Sequence, residues 1–514
     1  MQETRALLAE EMAAIEWNAE YLGFSRLLMM ENAGQAVANE ILQRYKKLPT
    51  VAIFAGLGGN GGDGFVAARH LAPRCRTVHL VLLGDPSLIQ NAPAAWNWKI
   101  VEKMRHSIET TIVHDVSELP DIVPMVVVDA LLGTGVKGAP RNPILRTLRL
   151  MNKLEGFKVA IDIPTGIHPD TGNPTIKSPF RADLTVTFHR PKQGLLENKE
   201  YVGKLVISDI GIPPEAELYV GPGDVFRAVQ PRSPLTRKGD YGRLLIIGGS
   251  PDFVGAPILA SMGALRSGVD LVYLAAPSHV ITAATSQIPD LIPITLQDKM
   301  LSKDDLPLID DILTNVEVLL IGPGLGDNHE TLDTVGKVLS IANQHKKPVV
   351  IDADALKVIS RAMKLESNII ITPHAGEMER IAGHEIATPL MHRAQQVRNL
   401  AKKLKCTILL KGAVDIMTTQ SETRFNWTGT PAMSVGGTGD VLAGLVAGFW
   451  AQGVEPFLAG CVGAFVNGAA GLLAYQDKGT GLIAFDLSDY IPKILSDPMA
   501  SPIAYNLRIP FIEE

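Results

Sequence analysis

The stretch VAIFAGLGGNGGDGFVAARHLA, Val51 to Ala72, decides the fold. VAIFA is a short, unbroken apolar run, as expected of a strand buried on both faces. GLGGNGGDG (Gly56–Gly64) follows as a glycine loop, and FVAARHLA then reads as a helix. Strand, glycine loop and helix form half of a βαβ unit, which predicts a parallel sheet. The same alternation extends in both directions. Apolar runs fall at Thr77–Leu83, Met125–Asp129, Lys158–Asp162 and Leu184–Phe188. Others follow at Leu244–Ile247, Leu271–Ala275, Val316–Ile321, Pro348–Asp352, Asn368–Thr372 and Thr407–Lys411. Between the two sets lies a segment rich in Pro and Gly, GIPPEAELYVGPGDVF (Gly211–Phe226) and then VQPRSP, and the alternation restarts at Lys238. Two α/β domains are therefore expected, at 1–215 and 226–505. Their motifs differ, so they do not read as a tandem duplication.

Composition narrows the function classes. The chain has 514 residues, 46% of them hydrophobic and 20% charged, which is a globular balance. A net charge of −6 argues against a dedicated nucleic-acid surface, which needs clustered Lys and Arg. It leaves room for anionic small molecules, because backbone amides hold phosphate without net charge. Cys75, Cys406 and Cys461 are far apart and form no CxxC pair, as expected of reduced thiols in a cytoplasmic protein. Glu3, Glu10 and Glu11 interrupt the N-terminal apolar residues, so no signal peptide is expected. The longest apolar stretch is read around Val441–Ala451, too short for the roughly 20 residues that span a bilayer.

In the first half, three strand ends carry polar groups. Asn60 and Asp63 stand inside the glycine loop, where a simple turn needs neither. Asp129 ends the strand of MVVVDALLGTGVKGAPR, and Asp162 ends that of VAIDIPTG, with Thr165 three residues on. Ligands of open α/β sheets collect at the carboxyl ends of strands, so these groups are expected to share one crevice. Lys192, in HRPKQG, reads first as a solvated loop lysine and second as a polar partner of that crevice.

MENAG (Met30–Gly34), GNGGDG, DALLGTG and DIPTG follow in this order in the NAD(P)H-hydrate epimerase domain, and residues 1–215 resemble it. The resemblance implies a Rossmann-like three-layer αβα fold. It implies a K⁺ ion bound by Asn60, Asp129 and Thr165. It implies substrate contacts from Gly59, Asn60, Gly61, Gly62 and Asp63, from Gly133, Thr134, Gly135, Val136, Lys137, Gly138 and Ala139, and from Asp162. One departure is that the family's GNNGGDG stands here as GGNGGDG, with Gly59 in place of the first Asn. Asp162 suits either of two tasks in inverting the hydrated carbon, moving a proton or stabilising a cationic ring.

The second half carries TPAMSVGGTGDVLAG, Thr430 to Gly444. Gly436, Gly437 and Gly439 permit a tight turn into an apolar helix, so amides near Gly437–Asp440 point at an anion with the Asp440 carboxylate beside them. An anion hole next to an acid suits phosphoryl transfer to a hydroxyl. This arrangement resembles the ribokinase-like fold. KGDYGRLLIIGGSPDFVGAP (Lys238–Pro257), IGPGLG (Ile321–Gly326), VIDADAL (Val350–Leu356), TPHAGE (Thr372–Glu377) and LLKGAVD (Leu409–Asp415) are similar, in order, to the NAD(P)H-hydrate dehydratase domain. The resemblance implies that Ala256, Gly324, His374 and Asp440 contact the hydrate. It implies that Lys411, Gly412, Ala413, Val414, Asp415 and Gly439 hold the nucleotide. Ala375 departs from the usual His-Pro-Gly.

The expected activity is repair of hydrated NADH and NADPH. The first half interconverts the R and S hydrates, and the second dehydrates the S form. ADP with Mg²⁺ is the expected co-substrate, with ATP the alternative. Asp440 and Asp162 are the catalytic candidates, a homo-oligomer is expected, and Asp352 and Asp354 are left without a role. Two rivals stand beside this reading: a ribokinase-like small-molecule kinase with a regulatory N-terminal half, and a binding module whose first half is catalytically dead.

Overall fold

The computed structural model describes residues 5–501 apart from 46–48, 136, 137, 139, 230 and 361–364. Val136, Lys137 and Ala139 of the expected substrate loop thus lie outside the described residues. The chain divides into two compact units, Met1–Pro214 and Glu215–Glu514.

The first unit is built on β1 (Thr50–Ala55), β2 (Thr77–Leu83), β3 (Glu109–Val113), β4 (Val126–Ala130), β5 (Phe157–Ile161), β6 (Leu184–Phe188) and β7 (Lys204–Ser208). They form one sheet in the order β3-β2-β1-β4-β5-β6-β7. All pairings are parallel, with Val51 opposite both Val78 and Val126. The central strands are buried along nearly their whole length, and every residue of β4 is buried. The order reverses between β1 and β4, and loops leaving those neighbours diverge and open a crevice at their carboxyl ends.

The helix after β1 begins at Gly59, inside the segment expected to be a loop, and runs to Leu71. The glycines serve close approach more than turning: a Cβ on Gly61 would lie 1.9 Å from the Gly56 carbonyl oxygen. Any side chain there would push the helix off the end of β1.

The second unit contains β8 (Arg243–Ile247), β9 (Leu271–Ala276), β10 (Ile292–Thr295), β11 (Val318–Ile321), β12 (Val349–Ile351), β13 (Ile369–Ile371), β14 (Thr407–Leu410), β15 (Asp415–Thr418) and β16 (Thr423–Asn426). Their order is β10-β9-β8-β11-β12-β13-β14-β15-β16. Pairings are parallel up to β14, and β14-β15-β16 is an antiparallel meander. Here the order reverses between β8 and β11, which again places an opening at the carboxyl ends.

The helix Thr438–Ala451 is buried from Val441 onward. The expectation that Val441–Ala451 is the longest apolar stretch is corrected by the helix Pro456–Lys478, which has the length and composition of a membrane span. Its most apolar window is 89% buried inside the unit, so its apolar faces are spent on protein packing. Alternating Gly and Ala among Val and Phe disguised the segment as punctuation in the sequence.

Candidate active sites

In the first unit the crevice is a cavity of about 540 Å³. Asn60, Asp63, Gly133, Thr134, Gly135, Asp162 and Lys192 all line it, so residues from three expected strand ends converge. Gly59 lines it as well, from the first position of its helix, while Gly138 is exposed.

Beneath the cavity floor lies a cluster of oxygens. Asp129 is fully buried and Thr165 is 1% exposed. Asp129 accepts from the Thr165 amide at 2.7 Å, from the Thr165 hydroxyl at 2.7 Å and from the Leu131 amide at 3.2 Å. Burial pushes Asp129 up to about 6, against these hydrogen bonds, which favour its charged form. Asn60 Nδ2 donates to the Leu132 carbonyl at 3.0 Å, and the Leu132 amide donates to Thr165 Oγ1 at 3.2 Å. Asn60 Oδ1 is buried with no hydrogen-bond partner. Asn60, Asp129 and Thr165 therefore meet around the backbone of Leu131 and Leu132, with one oxygen unsatisfied, the kind of gap an oxygen-seeking cation fills.

Asp162 follows β5 with φ 61°, a left-handed conformation that is uncommon for a non-glycine residue and is held where surrounding bonds demand it. Its amide donates to Val186 O at 2.8 Å. Its Oδ1 accepts from Thr187 Oγ1 at 3.0 Å and from Lys192 Nζ at 2.5 Å. Lys192 is 1% exposed, which corrects the first reading of it as a solvated loop lysine. Its surroundings explain the burial: the ammonium also reaches Thr187 Oγ1 at 3.2 Å and Phe188 O at 3.4 Å. Nothing local in HRPKQG signals this, because every partner comes from a neighbouring strand or its end.

Two further carboxyls line the same cavity, Asp63 and Glu16. Burial, the Asp162 charge and Glu16 hold Asp63 well above the usual carboxylate range, against the pull of Lys192. Glu16 stands on the helix Ala9–Tyr21, upstream of every motif read from the sequence.

The second unit gathers its groups at the carboxyl ends of β8, β11, β12, β13 and β14. Gly437 takes φ 99° as the residue before the helix Thr438–Ala451, a backbone state that glycine adopts without strain. Gly436 beside it is exposed, so the turn lies open at the surface. Asp440 lies in the first helical turn, and burial together with Asp352 pushes its carboxyl up to about 7, with Lys411 pulling the other way.

Asp352, 1% exposed, accepts from Lys411 Nζ at 2.8 Å and from Thr372 Oγ1 at 2.7 Å. Asp354 accepts from the Gly326 amide at 2.8 Å and from Lys357 at 2.8 Å. Lys411 is further tied by its amide to Pro373 O at 2.9 Å. Burial opposes its charge, but Asp352, Glu377 and Asp440 together outweigh it and hold the ammonium above its ordinary range.

His374 is exposed and caps the helix Ala375–Ala382: its Nδ1 accepts from the Glu377 amide at 3.3 Å, and Glu377 accepts from the His374 amide at 2.8 Å. Gly324, left-handed at φ 67°, stands beside Ala256: a Cβ on it would come within 3.3 Å of Ala256 Cβ. The Lys411–Asp415 segment is the turn between β14 and β15. Asp415 is spent on that turn, accepting from the Gly412 amide at 3.0 Å and from Asn426 Nδ2 at 2.9 Å, and burial pushes it up to about 6. Val414 is buried in the core and Ala413 is exposed. Ser250 Oγ, after β8, is a buried hydroxyl without a hydrogen-bond partner that the sequence reading passed over.

Comparison with known proteins gives a consistent result for both units. Residues 244–493 match the family described as NAD(P)H-hydrate dehydratase, and residues 26–194 match the family described as YjeF-related protein N-terminus. The chain is 43% identical to a bifunctional NAD(P)H-hydrate repair enzyme of Hyperthermus butylicus, covering 96% of this chain and 93% of that one. It is 42% identical to the enzyme of the same description from Pyrobaculum aerophilum, covering 94% and 97%. Among solved structures, an ADP/ATP-dependent NAD(P)H-hydrate dehydratase from Bacillus subtilis, co-crystallised with ATP and Mg²⁺, is 26% identical with a TM-score of 0.47, covering 54% of this chain and 98% of that one.

Proposed function

This chain belongs to the family of bifunctional NAD(P)H-hydrate repair enzymes, epimerase in its first half and dehydratase in its second, and on that premise we propose which residues carry each reaction. The kinase reading is the less supported, since residues 244–493 match the NAD(P)H-hydrate dehydratase family and 96% of the chain aligns with a bifunctional repair enzyme.

In the dehydratase unit, hydroxide is a poor leaving group and phosphate a good one. Asp440 takes the proton of the substrate hydroxyl as that oxygen attacks the terminal phosphoryl group of ADP. The amides of Gly437–Gly439, at a helix N-terminus, stabilise the charge on the moving group. AMP departs. The substrate C–O bond then breaks, phosphate leaves, and loss of a proton from the neighbouring carbon restores the dihydronicotinamide. The turn at Lys411–Asp415 and Gly439 holds the nucleotide, and Ala256, Gly324 and His374 hold the hydrate. Asp352 and Asp354 are already paired with Lys411 and Lys357, so Mg²⁺ enters with the nucleotide's phosphates. ADP is the expected donor over ATP.

In the epimerase unit, Asp162 is the base, paired with the Lys192 ammonium 2.5 Å away. The residues Gly59–Asp63 and Gly133–Gly135 cradle the substrate, and the Gly59 substitution removes one side-chain contact from that cradle. Asn60, Asp129 and Thr165 fit a K⁺ ion, because they offer hard oxygens and one of these, Asn60 Oδ1, has no partner. When bound, K⁺ supplies positive charge that steadies an anionic part of the substrate. Three free thiols and the net charge of −6 support a cytoplasmic protein acting on small molecules and not on nucleic acid.

The observation that carries this reading is the open Gly437 turn beside Asp440, whose raised carboxyl is ready to accept a proton near neutrality. The test is incubation with separated S and R hydrates of NADH, with and without ADP. The S form should be consumed only with nucleotide, releasing inorganic phosphate. A stable phosphorylated product would overturn the dehydratase assignment.

A further inference from the structure

The helix Ala9–Tyr21 is fastened to the segment that carries Lys192. The Leu7 amide donates to Pro191 O at 2.9 Å, the Gln193 amide donates to Leu7 O at 3.0 Å, and the Ala9 amide donates to Asp170 Oδ1 at 2.7 Å. Helical spacing then sets Met12 and Glu16, four residues apart, on one face, and both line the epimerase cavity. Arg26, Asp63, Asp162 and Lys192 are the charged groups that face the same cavity from other elements. Asp162 is engaged by Lys192 and Thr187, whereas the Glu16 carboxyl has no hydrogen-bond partner among the described residues. A half-buried carboxyl that accepts no hydrogen bond from the described protein groups, facing a substrate-sized cavity, is poised for the substrate.

We propose that Glu16 is a second catalytic carboxyl of the epimerase cavity, donating a proton to the hydroxyl of the hydrated carbon while Asp162 serves as the base. This rests on the cavity being the epimerase site. The proton passes from Glu16 to the hydroxyl oxygen, the C–O bond breaks, and water leaves as the ring nitrogen lone pair forms a C=N⁺ bond. Water returns to the opposite face, a new C–O bond forms, the nitrogen recovers its lone pair, and Asp162 takes the released proton. Exchange with solvent returns a proton to Glu16 and removes one from Asp162, so the net change is inversion alone. Burial supports the role by lifting Glu16 to about 7, with Asp162 raising it further and Lys192 and Arg26 opposing. The acid form is therefore present below neutrality and lost above it.

The test uses the full chain without nucleotide and follows interconversion of isolated R and S NADH hydrates across neutral pH, with the uncatalysed rate subtracted. Glu16→Gln should slow interconversion by about 10²-fold and abolish the fall in rate above neutrality. Glu16→Asp should keep that fall and recover part of the rate. A Glu16→Gln enzyme with the native rate and pH profile, beside an inactive Asp162→Ala enzyme, overturns the proposal and spares the cavity assignment. A slow Glu16→Gln enzyme that retains the native pH profile also overturns it, since that is a positioning effect. If Asp162→Ala itself remains active, the cavity assignment is what fails.

Discussion

Lys411 Nζ donates to Asp352 Oδ1 at 2.8 Å, and the same ammonium lies 3.2 Å from where a Cβ on Gly439 would stand. One cation therefore stands between the end of β12 and the start of the helix Thr438–Ala451, and its field reaches Asp440. Asp440 acts as a base only when deprotonated. Dehydration should accordingly rise with pH through about 7 and fall below it. Lys411 lowers the Asp440 pKa, so Lys411→Met should carry the acid limb to higher pH as well as weaken nucleotide binding. Initial rates against pH at saturating nucleotide separate the two effects, and an unmoved limb would break the proposed coupling.

Asp440→Asn should slow ADP-dependent dehydration at least about 10²-fold. R/S interconversion should continue at the native rate, because the groups proposed for it lie in the other unit. Chromatography of both epimers over time reads both outcomes, and a variant that still dehydrates normally would remove Asp440 from the chemistry.

The buried Lys192–Asp162 pair makes a stability prediction. Lys192→Met strands a buried carboxylate, at a cost of about 3–5 kcal/mol. Chemical denaturation should show the first unit unfolding early, while ADP-dependent consumption of the S hydrate persists. Adding Asp162→Asn to Lys192→Met should restore much of the stability without restoring interconversion. Equal stability of the native and Lys192→Met chains would mean that the pair is not formed in solution.

Asn60→Ala removes the unsatisfied Oδ1. Native interconversion should drop when K⁺ is exchanged for a bulky organic cation, and the variant should be slow and indifferent to that exchange. A native enzyme insensitive to the cation would discard the K⁺ site.

The central strands were legible because both faces of each are buried: β1, β4, β5 and β6 fall within a residue of their apolar runs. The missed strands lie at the margins of the sheets. β3 and β7 carry exposed and half-buried residues along most of their length, β10 alternates the two, and β15 and β16 form the antiparallel margin of the second sheet. A sheet margin meets water, so its sequence loses the continuous apolar run. The helix start at Gly59 was missed because Gly is a poor helix former, and only tertiary crowding at Gly61 explains its presence there. Asp162, Asp129 and Asp440 stood out in the sequence because each ends a strand or opens a helix. Lys192 was read as a partner of the crevice only in second place and Glu16 was not singled out, since the cavity they face is built from segments distant in sequence.

The clasp of Leu7 onto Pro191 and Gln193 sets an order on biosynthesis. The helix that follows Leu7 leaves the ribosome early, yet its mate emerges only when the last strands of that unit are being made, at roughly 5–20 residues per second. Through that interval the nascent helix is without its seat, and the epimerase pocket closes in a late step while the dehydratase is still being translated.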